Sequence, residues 1–408
     1  MRALAIVMVL GLAGCSGSPA GDAELPAADV AADVAAPPAL PFDWCVPGER
    51  PDEACYASKR DPDSANVARA RDIADAFLAK NPPESMGWGW EAAVLMIGVL
   101  ELHLVTGEEA YLDYPRAWMD HHIDAGYSIG HSDSCVPAGV AVLLLHLTGD
   151  PRDQGVIDDA LVYMHEKAVR SEGGGLSHLG TMDYATLWVD SLFMLGNVLF
   201  RLGELFDDAS SLDFYGDQFR IFTEALQEEG GFFRHADRWL TPQTDGVWWG
   251  RGNGWVSVAG AWYLRVRALR GEDDGEVLDA VSRLNAAAMD AQDPGTGLWW
   301  TIVNRPGETY LETSAAALFA AGMARLWRIG LAGDEVLSSV HAAMDGVRDR
   351  IVTGADGLPV VTGVSGPTTV GTFEEYAAVE TVDDVPFGVG AVLLALLETS
   401  GLPEPGID

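Results

Sequence analysis

Apolar residues recur at helical spacing from about residue 64 onward, in segments of about 15 to 20 residues that short Gly, Pro, Asp and Asn clusters separate. This pattern predicts roughly twelve helices. They lie near 64–80, 89–106, 108–125, 136–149, 152–171, 185–203, 211–228, 254–270, 275–292, 310–329, 333–352 and 386–400. Strand signals are few, and the best short candidates are 298–303 and 358–364.

Twelve helices joined by short turns indicate six helical hairpins. No sharp sequence repeat accompanies them, which disfavours an open solenoid. The sequence therefore predicts an all-α fold in which six inner and six outer helices close into a double ring, an (α/α)6 barrel. Because Gly- and aromatic-rich stretches precede several helices, we expect a concave site at the end of the barrel where those helix starts gather.

The first 43 residues are predicted to lie outside the barrel. Residues 1–15 are typical of a lipoprotein signal peptide, and their last four residues, Leu-Ala-Gly-Cys, resemble a bacterial lipobox. Cys15 would then be lipidated and would anchor the protein in the bacterial cell envelope, facing the periplasm or the exterior. The alternative is an ordinary signal peptide with an incidental cysteine. Residues 16–43 are predicted to be a flexible tether rich in Ala, Pro and Asp, and 44–408 a single barrel domain.

The other three cysteines predict one local disulfide and one thiol. Cys45 and Cys55 enclose a short loop that contains Pro and Gly, and they are expected to pair in an oxidising compartment. Cys135 is then unpaired, and a buried thiol is its expected state. Cysteine and histidine spacings match no metal-binding pattern, so we predict neither a metal nor another cofactor.

The formal net charge of −36 limits the possible partners. A surface with this much negative charge repels nucleic acid and anionic lipid. Nucleic acid is therefore not expected to bind, and membrane contact is expected only through the lipid anchor. An acidic substrate would be repelled as well, so a local cation would have to hold it at short range. We therefore expect an arginine in the pocket. The sequence leaves the oligomeric state open.

The run WGRGNGW at 249–255 is the clearest candidate for a sugar-binding surface. Indole faces stack on the apolar face of a pyranose, and the guanidinium of Arg251 can grip a carboxylate through two hydrogen bonds. Glycine lacks a Cβ, so a ligand or a neighbouring backbone can approach the chain closely. A Gly-rich helix start with two buried tryptophans would look similar, so both interpretations stay open.

Asp190 is a single carboxylate inside an otherwise apolar stretch, LWVDSLFM at 187–194. A buried carboxylate persists by pairing, by hydrogen bonding or by staying protonated with a raised pKa, and the last state is what a general acid needs near neutral pH. The alternative is an aspartate that caps a helix or pairs locally.

Asp133 and His235 are the other candidates for chemistry. Asp133, in GHSDSCVPAG at 130–139, precedes an apolar helix, where it could contact a ligand or act as the N-cap. His235, in GFFRHAD at 231–237, could position water or relay a proton. A lone surface histidine is the alternative, but its aromatic neighbours favour a pocket.

Taken in order, these motifs resemble the unsaturated rhamnogalacturonyl hydrolases of glycoside hydrolase family 105. The segments that carry the resemblance are DSCVPAG at 133–139, WVDSLFM at 188–194, GFFRH at 231–235, WGRGNGW at 249–255 and LETSAA at 311–316. Their combination is far more specific than any one segment, and the resemblance covers about residues 64–400. FEEY at 373–376 matches the family only weakly. The resemblance implies an (α/α)6 barrel, in agreement with the helix count.

The resemblance also implies an activity. The enzyme would remove the terminal 4,5-unsaturated uronic acid from oligosaccharides that a polysaccharide lyase has produced, of the pectin or rhamnogalacturonan type. Asp190 would be the general acid/base that protonates C4 of the enol ether, and Asp133 its partner carboxylate; water then adds at C5, and the hemiketal opens to release the aglycone. The residues implied to line the sugar site are Trp188, His235, Trp249, Arg251, Asn253 and Trp255.

Two further expectations follow from this implied mechanism. The pKa of Asp190 should be raised, so that it can act as an acid. An arginine should hold the uronate carboxylate; Arg234, Arg251 and Arg305 are candidates, and Arg251 is favoured by its place in the motif.

Two other functions remain open on the sequence alone. A conventional (α/α)6 glycoside hydrolase acting on saturated oligosaccharides would need two carboxylates at a defined separation across the scissile bond. A surface glycan-binding lipoprotein without catalysis would keep the Trp and Arg residues but tolerate changes at Asp190. The sugar on the leaving side and the choice between galacturonyl and glucuronyl groups also stay open.

Overall fold

Thirteen α-helices and six short strands form the part of the chain that the computed structural model describes, residues 60–181, 187–237 and 246–403. The helices are α1 (Ala65–Lys80), α2 (Trp90–Thr106), α3 (Ala110–Ala125), α4 (Ser132–Thr148), α5 (Pro151–Val162), α6 (Ser191–Leu205), α7 (Ala209–Leu226), α8 (Gly250–Leu269), α9 (Gly275–Ala291), α10 (Thr313–Arg328), α11 (Glu335–Asp349), α12 (Phe373–Ala377) and α13 (Pro386–Glu398). Three antiparallel strand pairs are β1 (Trp299–Trp300) with β2 (Leu311–Glu312), β3 (Ile351–Thr353) with β4 (Pro359–Val361), and β5 (Val364–Ser365) with β6 (Thr381–Val382).

The twelve predicted helices correspond to α1 to α11 and to α13. Both predicted strand regions contain strands, since β1 lies within 298–303 and β4 within 358–364. The short helix α12 was not predicted. The predicted signal peptide, tether, Cys15, Cys45 and Cys55 lie outside the described residues, whereas Cys135 is a buried free thiol as expected.

Six helices form a closed inner ring. Each packs against two neighbours in the order α2, α4, α6, α8, α10 and α13, and α13 packs against α2 to complete the ring. Close packing requires small residues at some crossings: a Cβ on Gly390 of α13 would lie 2.5 Å from the carbonyl oxygen of Val94 in α2. Because they are surrounded on all sides, the inner helices are buried along almost their whole length.

Six helices form an outer ring, and each packs against an inner helix. They are amphipathic: the buried residues of α9 recur every three or four positions, at Val277, Ala280, Val281, Leu284, Asn285 and Ala288. Side chains of Asp208 and Asp274 cap the starts of α7 and α9. The protein is therefore the expected all-α (α/α)6 barrel. No helix among the described residues combines the length and the apolar character that crossing a bilayer requires.

The C-terminal ends of the inner helices meet in a buried ionic network. Glu101 of α2 lies 2.7 Å from Arg60 and 2.9 Å from Arg201 of α6. Glu398 at the end of α13 pairs with Arg60 and with Arg325 of α10. Since these ends gather at one end of the barrel, the N-terminal ends gather at the opposite end, where the candidate site lies.

Candidate functional site

The predicted site residues lie at the N-terminal ends of the inner helices. Asp133 is the second residue of α4, Asp190 immediately precedes α6, and Arg251 is the second residue of α8. Residues that are far apart in the sequence therefore meet at one end of the ring. Each inner helix also points its positive dipole end there, and this favours the binding of an anion.

Neither aspartate acts as a capping side chain. The N-cap of α4 is His131, whose backbone N–H donates to the Ser134 hydroxyl at 3.1 Å. Asp190 occupies the N-cap position of α6, but its side chain makes no capping hydrogen bond. Neither carboxyl is therefore occupied by capping its helix.

Asp190, His235 and Tyr376 form a buried chain of contacts. His235 Nε2 lies 3.1 Å from Asp190 Oδ2, and His235 Nδ1 lies 2.6 Å from the Tyr376 hydroxyl. The backbone N–H of Val189 donates to the His235 carbonyl at 2.8 Å, which holds the two segments side by side. Asp190 is 8% exposed and His235 3%.

Aromatic rings fix the orientation of the His235 imidazole. Trp249 stacks on it at a centroid distance of 4.4 Å, and Trp188 meets it edge-on at 5.2 Å. Trp188 in turn stacks on His178 at 4.6 Å, with only 8° between the ring planes. Both tryptophans are buried, and their indole rings pack against histidine rings.

Asp133 has a histidine neighbour of its own. His178 Nε2 lies 3.5 Å from Asp133 Oδ1, and His178 Nδ1 lies 3.0 Å from the Ser191 hydroxyl. The Ser191 hydroxyl is also 3.0 Å from that of Ser132, which links the starts of α4 and α6. The site therefore contains two carboxyl–histidine pairs.

The two carboxyl groups have opposite pKa shifts. Burial, followed by the nearby charge of Asp190, raises the pKa of Asp133 from 3.8 to about 7. Burial would also raise the pKa of Asp190, but its contact with the His235 imidazole, and to a lesser degree the nearby His178, hold that pKa below its ordinary value. The expectation of a raised Asp190 pKa is therefore wrong. Of the two carboxyls, Asp133 is thus the one that burial favours in its protonated form.

Burial also keeps the two histidines neutral. It lowers the pKa of His178 to about 4, and it lowers the pKa of His235 despite the opposing effect of Asp190. A neutral imidazole carries one N–H, so each ring can donate to its carboxylate from one nitrogen only.

The run at 249–255 is a buried helix start. Trp249 is the N-cap of α8, and the three glycines belong to its first turns. A Cβ on Gly252 would lie 2.7 Å from the Trp249 ring, and one on Gly254 would lie 2.9 Å from Leu318 Cβ in α10. The glycines thus permit close helix packing, as in the alternative interpretation of this run, and the sugar-binding role of its residues stays a prediction.

Two other residues of the run also have structural contacts. Trp255 is 1% exposed and packs against Phe193 at a centroid distance of 4.3 Å. Asn253 accepts the backbone N–H of Phe233 at 2.8 Å and donates to its carbonyl at 3.0 Å. Asn253 therefore anchors the segment that carries His235, two residues further along the chain.

Arg251 is 1% exposed, and its guanidinium donates hydrogen bonds to the backbone. Its guanidinium donates to the carbonyls of Ser365 at 2.6 Å and Gly366 at 2.8 Å, and lies 4.7 Å from the Trp249 ring centroid. Glu312, which caps α10, lies 3.9 Å away. The Arg251 guanidinium is thus not available to form two hydrogen bonds with a substrate carboxylate, although its positive charge acts on His235.

The other two arginine candidates differ in exposure. Arg234 donates to the Ala225 carbonyl at 2.9 Å and lies 3.3 Å from Glu228. The Arg305 side chain is 45% exposed and lies 5.2 Å from the ring centroid of Phe373, on the helix that carries Tyr376. Of the three candidates, Arg305 presents the most accessible guanidinium.

A groove of about 430 Å³ opens beside Asp133. It is lined by the segment 85–92, which includes Trp88, Trp90 and Glu91, and by His131 and Pro386. Trp88 is held between Trp118 and Tyr127, with centroid distances of 5.6 and 4.6 Å. The volume lies in the range typical of small-ligand sites.

His178 and Tyr376 were not among the predicted site residues. The weakly matching segment FEEY at 373–376 contained the only signal for Tyr376. Across the described ranges, no cluster of three His, Cys, Asp or Glu side chains is arranged to hold a metal ion.

Comparison with known proteins shows a family match over most of the chain. The sequence model of Glycosyl Hydrolase Family 88 matches residues 69–402. An unsaturated rhamnogalacturonyl hydrolase of Bacillus subtilis is 27% identical over 261 residues, which are 62% of this chain and 74% of that protein.

Solved structures show the same fold. A family 105 glycoside hydrolase from C. acetobutylicum has a TM-score of 0.74 at 21% identity, over 82% of this chain and 99% of that one. Unsaturated glucuronyl hydrolase from Bacillus sp. GL1 has a TM-score of 0.64 at 17% identity, over 82% of this chain and 96% of that one. These matches agree with the resemblance inferred from the motifs.

Proposed function

The chain belongs to glycosyl hydrolase family 88, and we propose that it removes the terminal 4,5-unsaturated uronic acid from lyase-generated oligosaccharides, of the pectin or rhamnogalacturonan type. The observation that carries this proposal is the pair of electrostatically interacting carboxyls, Asp133 and Asp190, each beside a buried neutral histidine. Such a pair keeps one proton near neutral pH, and an enol ether needs one proton to react.

The reaction begins with protonation of C4. Asp133, the carboxyl with the raised pKa of about 7, holds the proton in the free enzyme. When substrate binds, this proton passes to Asp190, and Asp190 delivers it to C4. Protonation of C4 generates an oxocarbenium-like centre at C5. Asp133 and Asp190 are then both ionised, and their negative charge stabilises this positive centre.

Water then adds at C5. Asp190, now ionised, accepts a proton from the attacking water, and His235 holds Asp190 in place through Nε2, 3.1 Å from Oδ2. The resulting hemiketal opens, the C5 hydroxyl becomes a ketone, and the hemiacetal formed at C1 collapses to release the aglycone with its glycosidic oxygen. One acid/base centre is sufficient for this sequence, unlike conventional glycoside hydrolysis.

The positive ends of the inner helices help to hold the anionic substrate. These helix ends converge at the site, and the charge of the buried Arg251 adds to the positive potential there. The groove beside Asp133 is the place we assign to the leaving sugar, because it adjoins the reacting carboxyl.

The test is an assay on lyase-generated pectin fragments with wild-type protein and the Asp190→Asn variant. Ultraviolet absorbance of the C4–C5 double bond should disappear with wild type and persist with the variant. Retention of most activity by Asp190→Asn would refute the assignment of Asp190. A wild-type protein that leaves the absorbance unchanged would refute the function.

We also propose that Cys15 carries a lipid that anchors the enzyme in the bacterial cell envelope. Support comes from the Leu-Ala-Gly-Cys sequence that ends residues 1–15. Labelling of cells with a radioactive fatty acid should mark the wild-type protein and not Cys15→Ser. Label in both proteins would refute the proposal.

A further inference from the structure

Tyr376 is buried against the imidazole of His235, although 141 residues separate the two in the chain. The tyrosine is 3% exposed and packs in a small apolar cluster with Trp249 and Ile302. Thr372 and Glu375 form a reciprocal capping box that starts the helix carrying it. Its hydroxyl is thus held rigidly at 2.6 Å from His235 Nδ1.

The direction of this hydrogen bond follows from the surroundings of Tyr376. Burial raises the pKa of Tyr376 far above its ordinary value. The phenol is therefore protonated. Since its oxygen lies 2.6 Å from His235 Nδ1, the phenolic proton can be donated to the lone pair of that nitrogen.

The opposite nitrogen of His235 has a carboxylate neighbour. If Nδ1 accepts the phenolic proton, a neutral ring carries its own hydrogen on Nε2, and Nε2 lies 3.1 Å from Asp190 Oδ2. The other tautomer would place a lone pair against that carboxylate and an N–H against the phenolic proton. The two contacts therefore select the same tautomer.

We propose that Tyr376 is a positioning residue that holds His235 in its Nε2–H tautomer, so that His235 donates to Asp190 in the catalytic arrangement. The proposal rests on the proposed function. Tyr376 acts through His235 and not on the substrate. The charged and titratable groups that face His235 besides Tyr376 are Asp190, His178 and Arg251, and the hydrogen-bond partner of Nδ1 is the Tyr376 hydroxyl.

The test combines kinetics with the ¹⁵N chemical shifts of the imidazole nitrogens in Tyr376→Phe. Histidine-labelled wild type should show His235 with hydrogen on Nε2, assigned as the resonance missing from His235→Asn. In Tyr376→Phe that population should shift toward the Nδ1–H form or become mixed. We expect kcat to fall about tenfold or more while KM changes by less than about twofold.

Tyr111→Phe is the matched control. Tyr111 is 2% exposed, and its hydroxyl donates to Asp75 at 2.9 Å on the outer ring. The control also loses a buried phenolic hydrogen bond, so it should lose stability without moving the His235 tautomer or kcat. Any effect shared by both variants reflects stability alone.

Either of two results would overturn the proposal: a wild-type His235 with its hydrogen on Nδ1, or a Tyr376→Phe variant with unchanged tautomer and kcat. If that variant fails to fold, the wild-type tautomer still decides. The tautomer of His235 is measured without substrate, so this result tests the role of Tyr376 independently of the enzyme's activity. The proposed function, by contrast, fails only if the wild type does not act on unsaturated substrates.

Discussion

Replacement of Asp133 by asparagine is expected to remove activity and to stabilise the protein at alkaline pH. The pKa of Asp133 is about 7 in the folded protein against an ordinary value of 3.8. Between these values the unfolded chain releases a proton that the folded protein retains. The folded state therefore binds more protons, and the free energy of unfolding falls as the pH rises from about 4 to about 7. Asparagine does not titrate, so the variant escapes this loss.

The size of the effect follows from the two pKa values. A difference of about three pH units corresponds to about 4 kcal/mol. Since 25% of the side chain is exposed and water screens its charge, we expect about 2–3 kcal/mol. With an unfolding entropy of about 2.1 cal/mol/K per residue over roughly 340 residues, the Tm should rise by about 3–4 °C at pH 8.

Thermal unfolding at pH 4 and pH 8 tests this prediction. Asp133→Asn should match wild type at pH 4 and exceed it at pH 8. Asp113→Asn, which removes an exposed carboxylate on α3, should match wild type at both values. A gain of equal size at both pH values, or a loss at pH 8, would show that burial does not disfavour the ionised form of Asp133.

Three further results are expected. Glu398→Gln should lower the free energy of unfolding by about 3–5 kcal/mol, because it leaves Arg60 and Arg325 buried with one partner charge fewer. The control Glu276→Gln, at a side chain 79% exposed, should change the free energy of unfolding by less than about 0.5 kcal/mol. Equal effects of the two variants in calorimetry would contradict this prediction. The value of kcat/KM should fall above about pH 7, where the carboxyl pair loses its proton, and a profile flat well above pH 7 would exclude that pair as the proton source. Added salt should lower KM by screening the net charge of −36, whereas an unchanged KM would assign all recognition to short-range contacts.

The apolar pattern predicted the barrel because the outer helices bury a regular set of apolar positions, whereas the inner helices are apolar and buried along almost their whole length. The start of α8 was placed four residues too late, at 254 instead of Gly250, since three glycines in seven residues are typical of a turn. Burial outweighs that propensity here. The glycines allow α8 to approach Trp249 and Leu318 more closely than any other residue could.

The sequence identified the carboxyls but not their protonation. Asp190 and Asp133 were found from their apolar surroundings and motifs, whereas their pKa shifts depend on His235, His178 and each other across the ring. Arg251 was expected to line the pocket, yet its guanidinium donates to the backbone carbonyls of Ser365 in β5 and of Gly366. Such partners are chosen by tertiary packing and leave no local pattern in the chain.

The most direct test of the account measures two products in one reaction of wild-type protein with an unsaturated uronyl disaccharide. Loss of the C4–C5 absorbance and release of the aglycone should proceed at equal rates, because hydration of the double bond leads to ring opening and collapse of the hemiacetal that releases the aglycone. Release of the aglycone while the absorbance persists would identify a conventional hydrolase and contradict the mechanism derived from Asp133 and Asp190.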